Sequence, residues 1–184
     1  MTDGPGERRG PWTVVAREEQ YANPWISVRE DRVAGADGEE GRFGVVEMKP
    51  GVCVLPLGND GTAHLVRVYR YTLDRESIEG VAGGVEDGEA PEDAARRELR
   101  EEAGIAADRL ETLGVIDQLT EAVVSPCHLF VARGLTFGRP NRERGERIEP
   151  VALPLDRAVG LVMDGTISHA ATAVLVLKAA RLAE

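Results

Sequence analysis

The feature that most constrains this chain is the stretch from Gly83 to Ile105, where glycines, acids and arginines fall at fixed distances around one helix. Pro91 to Ala103 reads as that helix. Proline suits a first helical turn, Glu92 and Asp93 stand where the helix dipole favours acids, and Gly104 stands where a left-handed residue ends a helix. At about 100° per residue, Glu98, Glu101 and Glu102 share one face. Ala95, Leu99 and Ala103 form an adjoining apolar stripe that can pack on a sheet, which leaves Asp93, Arg96 and Arg100 to the solvent side. Like charges at this spacing repel on a bare helix. A hard divalent cation reverses that interaction, and Mg²⁺ takes oxygen ligands, keeps several waters and shares them with substrate phosphates. Three glutamates by themselves fit a solvated acidic face more simply.

The spacing around them points the other way. Gly83, Glu89, Arg97, Glu98, Leu99, Glu101, Glu102, Gly104 and Ile105 fit G-x5-E-x7-R-E-U-x-E-E-x-G-U, where U is a bulky aliphatic residue: nine fixed positions within 23 residues. The glycines at 80, 83, 84 and 88 taken by themselves carry little, since no Lys-Ser/Thr pair follows to make a P-loop. With all nine positions met, the chain resembles the Nudix hydrolase superfamily. The resemblance implies an α/β Nudix fold, an α/β/α sandwich around a mixed β-sheet, and a loop–helix–loop that holds one to three Mg²⁺ or Mn²⁺ ions. Glu98, Glu101 and Glu102 match the metal-binding glutamates, Ala82 the position that lends a backbone carbonyl to a metal, Arg97 the position that orients a neighbouring carboxylate, and Glu89 a supporting position. Arg97 and Glu101 count with the catalytic groups on this match. The chemistry is cleavage of a phosphoanhydride: bound cations neutralise the diphosphate, bring a water's pKa towards neutrality and steady the leaving phosphate, while a carboxylate outside the cluster takes or orients the water's proton.

The remaining chain supplies the sheet. Short alternating or apolar runs read as strands at Trp12–Ala16, Trp25–Val33, Phe43–Met48, Val52–Leu57 and His64–Tyr71, and again at Leu113–Leu119, Cys127–Ala132 and Val151–Leu153. Leu155–Met163 and His169–Leu182 have helical spacing, with the turn pair Asp164-Gly165 between them. Strands, helix, strands, helices describe a mixed sheet covered by helices, with an N-terminal β-rich segment, rather than a regular βαβ repeat. Residues 1–10 are polar and read as a mobile tail, and residues 11–184 as one domain.

Outside the box, Leu65-Val66-Arg67-Val68-Tyr69-Arg70 followed by Glu79-Gly80-Val81-Ala82-Gly83 is similar to the strand and E-x-P-A-G segment of ADP-ribose pyrophosphatases and related nucleotide-sugar hydrolases. That resemblance implies substrate-binding roles for Arg70, Arg67 and Glu79. Val68 stands where Gln is usual and Val81 where Pro is usual, and Thr120-Glu121 occupies a place where a proline is common. These departures bear on the substrate and leave the hydrolytic positions intact. The acidic loop Glu143–Glu149 corresponds to a loop that carries a catalytic glutamate, with Glu146 the first candidate and Glu149 the second. Met163–Ser168 resembles the family's G-x-I-x-D region, with His169 at the usual acidic position. Related enzymes pair as homodimers through N-terminal strands, and Trp12 and Trp25 fit either interface or hairpin positions. The substrate expected is a small nucleoside diphosphate derivative, ADP-ribose or a nucleotide sugar. A dinucleotide polyphosphate, a coenzyme or an oxidised nucleotide is the alternative. A non-catalytic ligand sensor is a third reading, against which the full set of box carboxylates counts.

Composition excludes several other classes. A formal net charge of −10 disfavours a nucleic-acid backbone as partner. No apolar run approaches the roughly 18 residues of a membrane span, and the start MTDGPGERRG has no apolar signal core. Cys53 and Cys127, like His64, His128 and His169, are too scattered for a zinc site and read as structural. The expectation is a cytoplasmic protein that meets no membrane and no nucleic acid.

Overall fold

The computed structural model describes residues 6–141 and 148–183. Its strands are β1 (Arg8–Arg9), β2 (Trp12–Ala22), β3 (Ile26–Gly35), β4 (Glu40–Met48), β5 (Gly51–Pro56), β6 (Thr62–Arg70), β7 (Arg75–Glu79), β8 (Val81–Gly84), β9 (Ile105–Asp117), β10 (Val123–Val124), β11 (Pro126–Phe137) and β12 (Ile148–Pro154). The helices are α1 (Pro91–Glu98), α2 (Leu155–Met163) and α3 (Ala170–Ala183). The chain divides into two compact units, residues 1–49 with 117–125 and residues 50–116 with 126–184.

The first unit is a sheet in the order β1-β2-β3-β4-β10, antiparallel except where β10 runs alongside β4. Asn23 makes the first tight turn: its side-chain oxygen accepts the N–H groups of Trp25 and Ile26 at 2.8 and 2.9 Å. Two irregularities in β2, at Val14/Ala16 and Glu19/Tyr21, bend the hairpin. Val14 and Val33 are buried here, and Trp12 meets Phe43 edge-on at 5.8 Å. Asp31 is buried as well, held by the Nε groups of Arg29 and Arg17 at 2.9 and 3.4 Å. Composition marked residues 1–10 as a tail, yet Arg8–Arg9 pairs with Trp12–Thr13, because a tight turn at Gly10, which has φ +58°, folds the chain back.

The second unit is built on β5. Its run of apolar residues is buried on both faces, as suits a central strand. It pairs parallel with β11 and antiparallel with β8, giving the order β8-β5-β11-β9, while β12-β6-β7 forms a second sheet. Alternation along β5 divides the core in two. Val52 and Val54 pack with Val66, Val81, the α1 residues Ala94 and Ala95, and Leu99 just after that helix. Cys53 and Leu55 pack with Leu65, Leu129 and the α2–α3 residues Ala158, Leu175 and Val176. Helices therefore cover both faces of mixed sheets within this unit, which is the layered α/β arrangement expected from the element order.

Several element boundaries differ from the sequence reading, and two of them bear on the site helix and the strand after it. The expected strand Leu113–Leu119 starts eight residues earlier, at Ile105, as the edge strand beside β11, where one charged face meets solvent. The expected helix Pro91–Ala103 is α-helical only to Glu98, and Leu99–Ala103 forms a wider π turn. Gly104 closes that turn at φ +67°, and a side chain there would press within 2.7 Å of the Gly138 carbonyl. Wide turns of this kind are frequent at functional sites. Among the described residues no helix is long and apolar enough to cross a membrane.

Candidate active site

Strand β8 and helix α1 face each other because of how each is anchored. Val81 is fully buried under β5, and Ala94, Ala95 and Leu99 seat α1 on the same core. The polar face beside that stripe is thereby aimed at Ala82-Gly83-Gly84. Glu98 lies against Gly83 so closely that a Cβ on that glycine would fall 2.0 Å from Glu98 Oε1. Glu102 Oε2 accepts the backbone N–H of Ala82 at 3.3 Å. The two carboxylates meet adjacent residues of β8, Glu98 at Gly83 and Glu102 at Ala82, so they stand inward and not in bulk solvent. The Glu98 side chain is 12% exposed and that of Glu101 43%.

Arg97 organises the acids. Its Nε and Nη2 donate to the two oxygens of Glu89 at 3.0 Å each. Nη2 also donates to the Gly84 carbonyl at 2.8 Å, and Nη1 reaches Glu98 Oε1 at 2.6 Å and Glu101 Oε2 at 3.2 Å. One planar guanidinium thus joins the loop, the helix and β8, a geometry that Lys cannot reproduce. The Arg97 hydrogen bonds, aided by the Glu86 N–H, bring Glu89 down to about 2. Glu89 in turn is the main cause that raises Arg97 above its ordinary range. Among the described residues, no three acidic, histidine or cysteine side chains already converge as a metal cage. Arg97 spans the space between Glu98 and Glu101 in this arrangement.

A second polar cluster sits where β7 leads into β8. Glu79 is 2% exposed, and Arg70 Nε and Nη2 grip its two oxygens at 3.0 and 2.6 Å. Burial pushes the Glu79 carboxyl up, but the Arg70 hydrogen bonds and neighbouring positive charge outweigh it and leave the group below its ordinary range. His169 Nδ1 lies 3.5 Å from Glu79 Oε2 and 2.8 Å from Thr172 Oγ1, and that hydroxyl oxygen accepts the Gly80 N–H at 2.8 Å.

The other expected residues fall elsewhere. Arg67 is three residues from Arg70 on β6, hence on the opposite face, and its ion pair is with exposed Glu76 at 3.7 Å. Glu149 is exposed on β12 directly across from Arg67. Their neighbours Val66, Val68 and Ile148 turn towards the α1 core, so Arg67 and Glu149 point away from the Glu98 cluster. Glu146 lies outside the described residues. Trp12 packs on Phe43, and Trp25 is 72% exposed beside the β2–β3 turn. Sequence reasoning passed over the Gly84 carbonyl, which carries no side-chain signal, and Thr172. The sequence marks Thr172 only as a single hydroxyl in the apolar run Ala170–Leu177; its full burial and its bonds to the Gly80 N–H, His169 Nδ1 and Cys53 Sγ appear in the structure.

Comparison with known proteins bears on the family and the fold. The NUDIX domain family model matches residues 47–170, and the nucleoside diphosphate sugar hydrolase N-terminal domain model matches residues 12–46. The chain is 28% identical over 162 residues to an ADP-ribose pyrophosphatase of Bacillus subtilis (strain 168), covering 87% of this chain and 88% of the relative. It is 26% identical over 172 residues to a methanol dehydrogenase activator of Bacillus methanolicus, covering 89% of each. A crystal structure of an ADP compounds hydrolase superposes with a TM-score of 0.82 at 20% identity, over 96% of both chains, and so shares the fold.

Proposed function

The chain belongs to the NUDIX domain family, and from that premise we propose that it hydrolyses a nucleoside diphosphate linked to a second group, releasing a nucleoside monophosphate and a phosphorylated product. ADP-ribose or a nucleotide sugar is the leading substrate, supported by the likeness to an ADP-ribose pyrophosphatase and by the N-terminal match to nucleoside diphosphate sugar hydrolases. The observation that carries the reading is the meeting of Glu98 and Glu102 on Ala82-Gly83, which puts two acids of the helix and the backbone of β8 in one place.

That donor set fits a hard divalent cation, since carboxylates and a backbone carbonyl offer oxygen only. Glu98, Glu101, Glu102 and the Ala82 carbonyl would hold Mg²⁺, or Mn²⁺ in its place. When bound, the metal neutralises the diphosphate and makes a water acidic enough to serve as nucleophile. The chain's own residues do the rest. Arg97 keeps Glu98 and Glu101 in reach of one another against their repulsion. Arg70 offers the positive charge that a phosphate requires, and Glu79 fixes the Arg70 guanidinium from behind. The base that takes the water's proton comes from the acidic loop, with Glu146 preferred over Glu149, whose strand position faces Arg67.

The same reading includes a homodimer formed through the N-terminal sheet, where Tyr21, Phe43, Met48 and Val124 are exposed apolar residues. It also includes a cytoplasmic setting, consistent with two buried free thiols, Cys53 and Cys127. The test is a panel of diphosphate substrates assayed with Mg²⁺ for the natural chain and for the Glu101→Gln, Glu102→Gln pair. Hydrolysis of one member by the natural chain and a loss of at least about 100-fold in the pair is the expected result. Undiminished hydrolysis in the pair overturns the metal site.

A further inference from the structure

The hydroxyl of Thr172 has one proton and three neighbours. Its oxygen accepts the Gly80 N–H at 2.8 Å, stands 2.8 Å from His169 Nδ1 and 3.8 Å from Cys53 Sγ, and is fully buried. His169 Nδ1 is also 3.5 Å from a Glu79 carboxylate oxygen. A lone pair on Nδ1 would face that carboxylate, whereas a proton on Nδ1 is attracted by it. With the proton on Nδ1, Thr172 accepts from both Gly80 and His169 and sends its own proton to Cys53 Sγ, a weak acceptor. The Gly80 N–H, the Nδ1–H and the Thr172 hydroxyl each then have a partner. The tautomer of a histidine follows from the bond its other nitrogen makes, and burial, its main influence, favours the uncharged ring. The lone pair is therefore on Nε2. Among the described residues nothing bonds Nε2, and the His169 side chain is 25% exposed beside the Arg70–Glu79 pair.

We propose that His169 is a further substrate-binding residue beside Arg70: the Glu79 carboxylate and the Thr172 hydroxyl together hold it as the Nδ1–H tautomer, and Nε2 accepts a hydrogen bond from a sugar hydroxyl of the substrate. A phosphate oxygen is the wrong chemistry for Nε2, because two lone pairs would meet. Of the groups on a nucleoside diphosphate sugar, the hydroxyls supply donors in greatest number. The Arg70 guanidinium and the His169 ring then divide the work, one binding anionic oxygen and the other reading a donor. This assignment rests on the hydrolase reading above, and the first of its two tests does not need turnover.

The first test is a long-range ¹H–¹⁵N spectrum of the full chain at neutral pH. The chain has only His64, His128 and His169, so the signal missing in His169→Asn identifies the ring. The Nδ1–H form is expected, and Thr172→Val, which removes one of the two acceptors facing Nδ1 and leaves Glu79, should raise the share of the other tautomer. An Nε2–H ring in the natural chain overturns the proposal even if no substrate is ever hydrolysed. The second test is steady-state kinetics with ADP-ribose and Mg²⁺. His169→Asn keeps a donor near Glu79 and lacks the Nε2 acceptor, so KM should rise about fivefold, the loss of one hydrogen bond, with kcat within about twofold. His169→Gln, whose longer side chain can bring a carbonyl oxygen to the Nε2 position, should recover most of that KM. An unchanged KM in His169→Asn, or a fall in kcat only, overturns the proposal. Should the Asn variant fail to fold, His169→Leu against His169→Gln gives the same comparison.

Discussion

Glu98 and Gly83 occupy one another's space: the carboxylate fills the volume that a side chain at position 83 would need, with Oε1 2.0 Å from an ideal Cβ there. Gly83 is needed for this approach and not for its backbone angle, since it does not have positive φ. The atom in the way is the end of a flexible glutamate, which can swing aside. Gly83→Ala should therefore leave stability within about 1 kcal/mol of the natural chain, unlike overpacking of a rigid core. It should cost at least about 100-fold in kcat/KM, the scale expected when a working group is displaced by an ångström. Melting curves beside initial rates check both halves. A stability loss that tracks the activity loss would mean Gly83 serves folding only.

The Arg97–Glu89 pair predicts a response to acid. Glu89 stands near 2 in the folded chain against an ordinary value of 4.5, chiefly through the Arg97 hydrogen bonds. A carboxyl lowered by folding contributes stability that is complete above its unfolded pKa and is lost as pH falls towards the folded one. The contribution should fade between about pH 4.5 and pH 2. Melting midpoints of the natural chain should fall more steeply over that window than those of Glu89→Gln, and the two curves should converge at the acid end. Parallel curves would refute the assignment.

Cation binding should register without any substrate. A ligand that binds only the folded chain stabilises it by about 2.7 kcal/mol at 100 times its Kd, which for a chain of this size is about 5 to 10 °C in melting midpoint. Mg²⁺ titrated into the natural chain should produce a shift on that scale, and Mn²⁺ a comparable one. In Glu98→Gln the shift should be largely lost. An equal shift in both proteins would place the cation elsewhere.

The residues of the box were legible because their chemistry lies in side chains at fixed helical spacing. Glu98 and Glu102 were expected on one face, and both do meet β8. The widening of the last turn at Leu99–Ala103 was not legible, because Leu-Arg-Glu-Glu-Ala is an ordinary helical sequence and the close packing of Gly104 against Gly138–Pro140 is a long-range contact. Ala94 fell outside the apolar stripe because it lies one turn before Glu98 on the carboxylate face, and it proves fully buried. Arg70, Glu79 and Arg67 were all picked out by resemblance, and alternation along β6 puts Arg67 on the face opposite Arg70. Thr172 acts through a hydrogen bond to a backbone N–H 92 residues away, and no local pattern reveals such a contact.

Arg70 and Glu79 yield the last prediction. Glu79 is almost wholly buried and is kept charged by Arg70, so Arg70→Ala removes a partially exposed group and leaves a buried carboxylate behind. Breaking such a pair costs more than the pair itself contributes, because the remaining charge has lost its compensation. The cost is reduced here by the solvent that reaches the arginine side. In the natural chain Glu79 lies below its ordinary range, so its contribution is present at neutral pH and lost in acid. In Arg70→Ala burial dominates and raises the carboxyl above its unfolded value, which reverses the sign: stability is retained in acid and lost as pH rises through the folded pKa. The difference in melting midpoint between the two proteins should thus be largest near neutrality and shrink as pH falls below the ordinary carboxylate range. Arg70→Lys should restore part of the stability, since it returns the charge, but little of the substrate affinity, since it cannot supply a fork of two parallel donors. A difference in midpoint that stays constant from neutrality into acid would show that Glu79 does not depend on Arg70 for its charge.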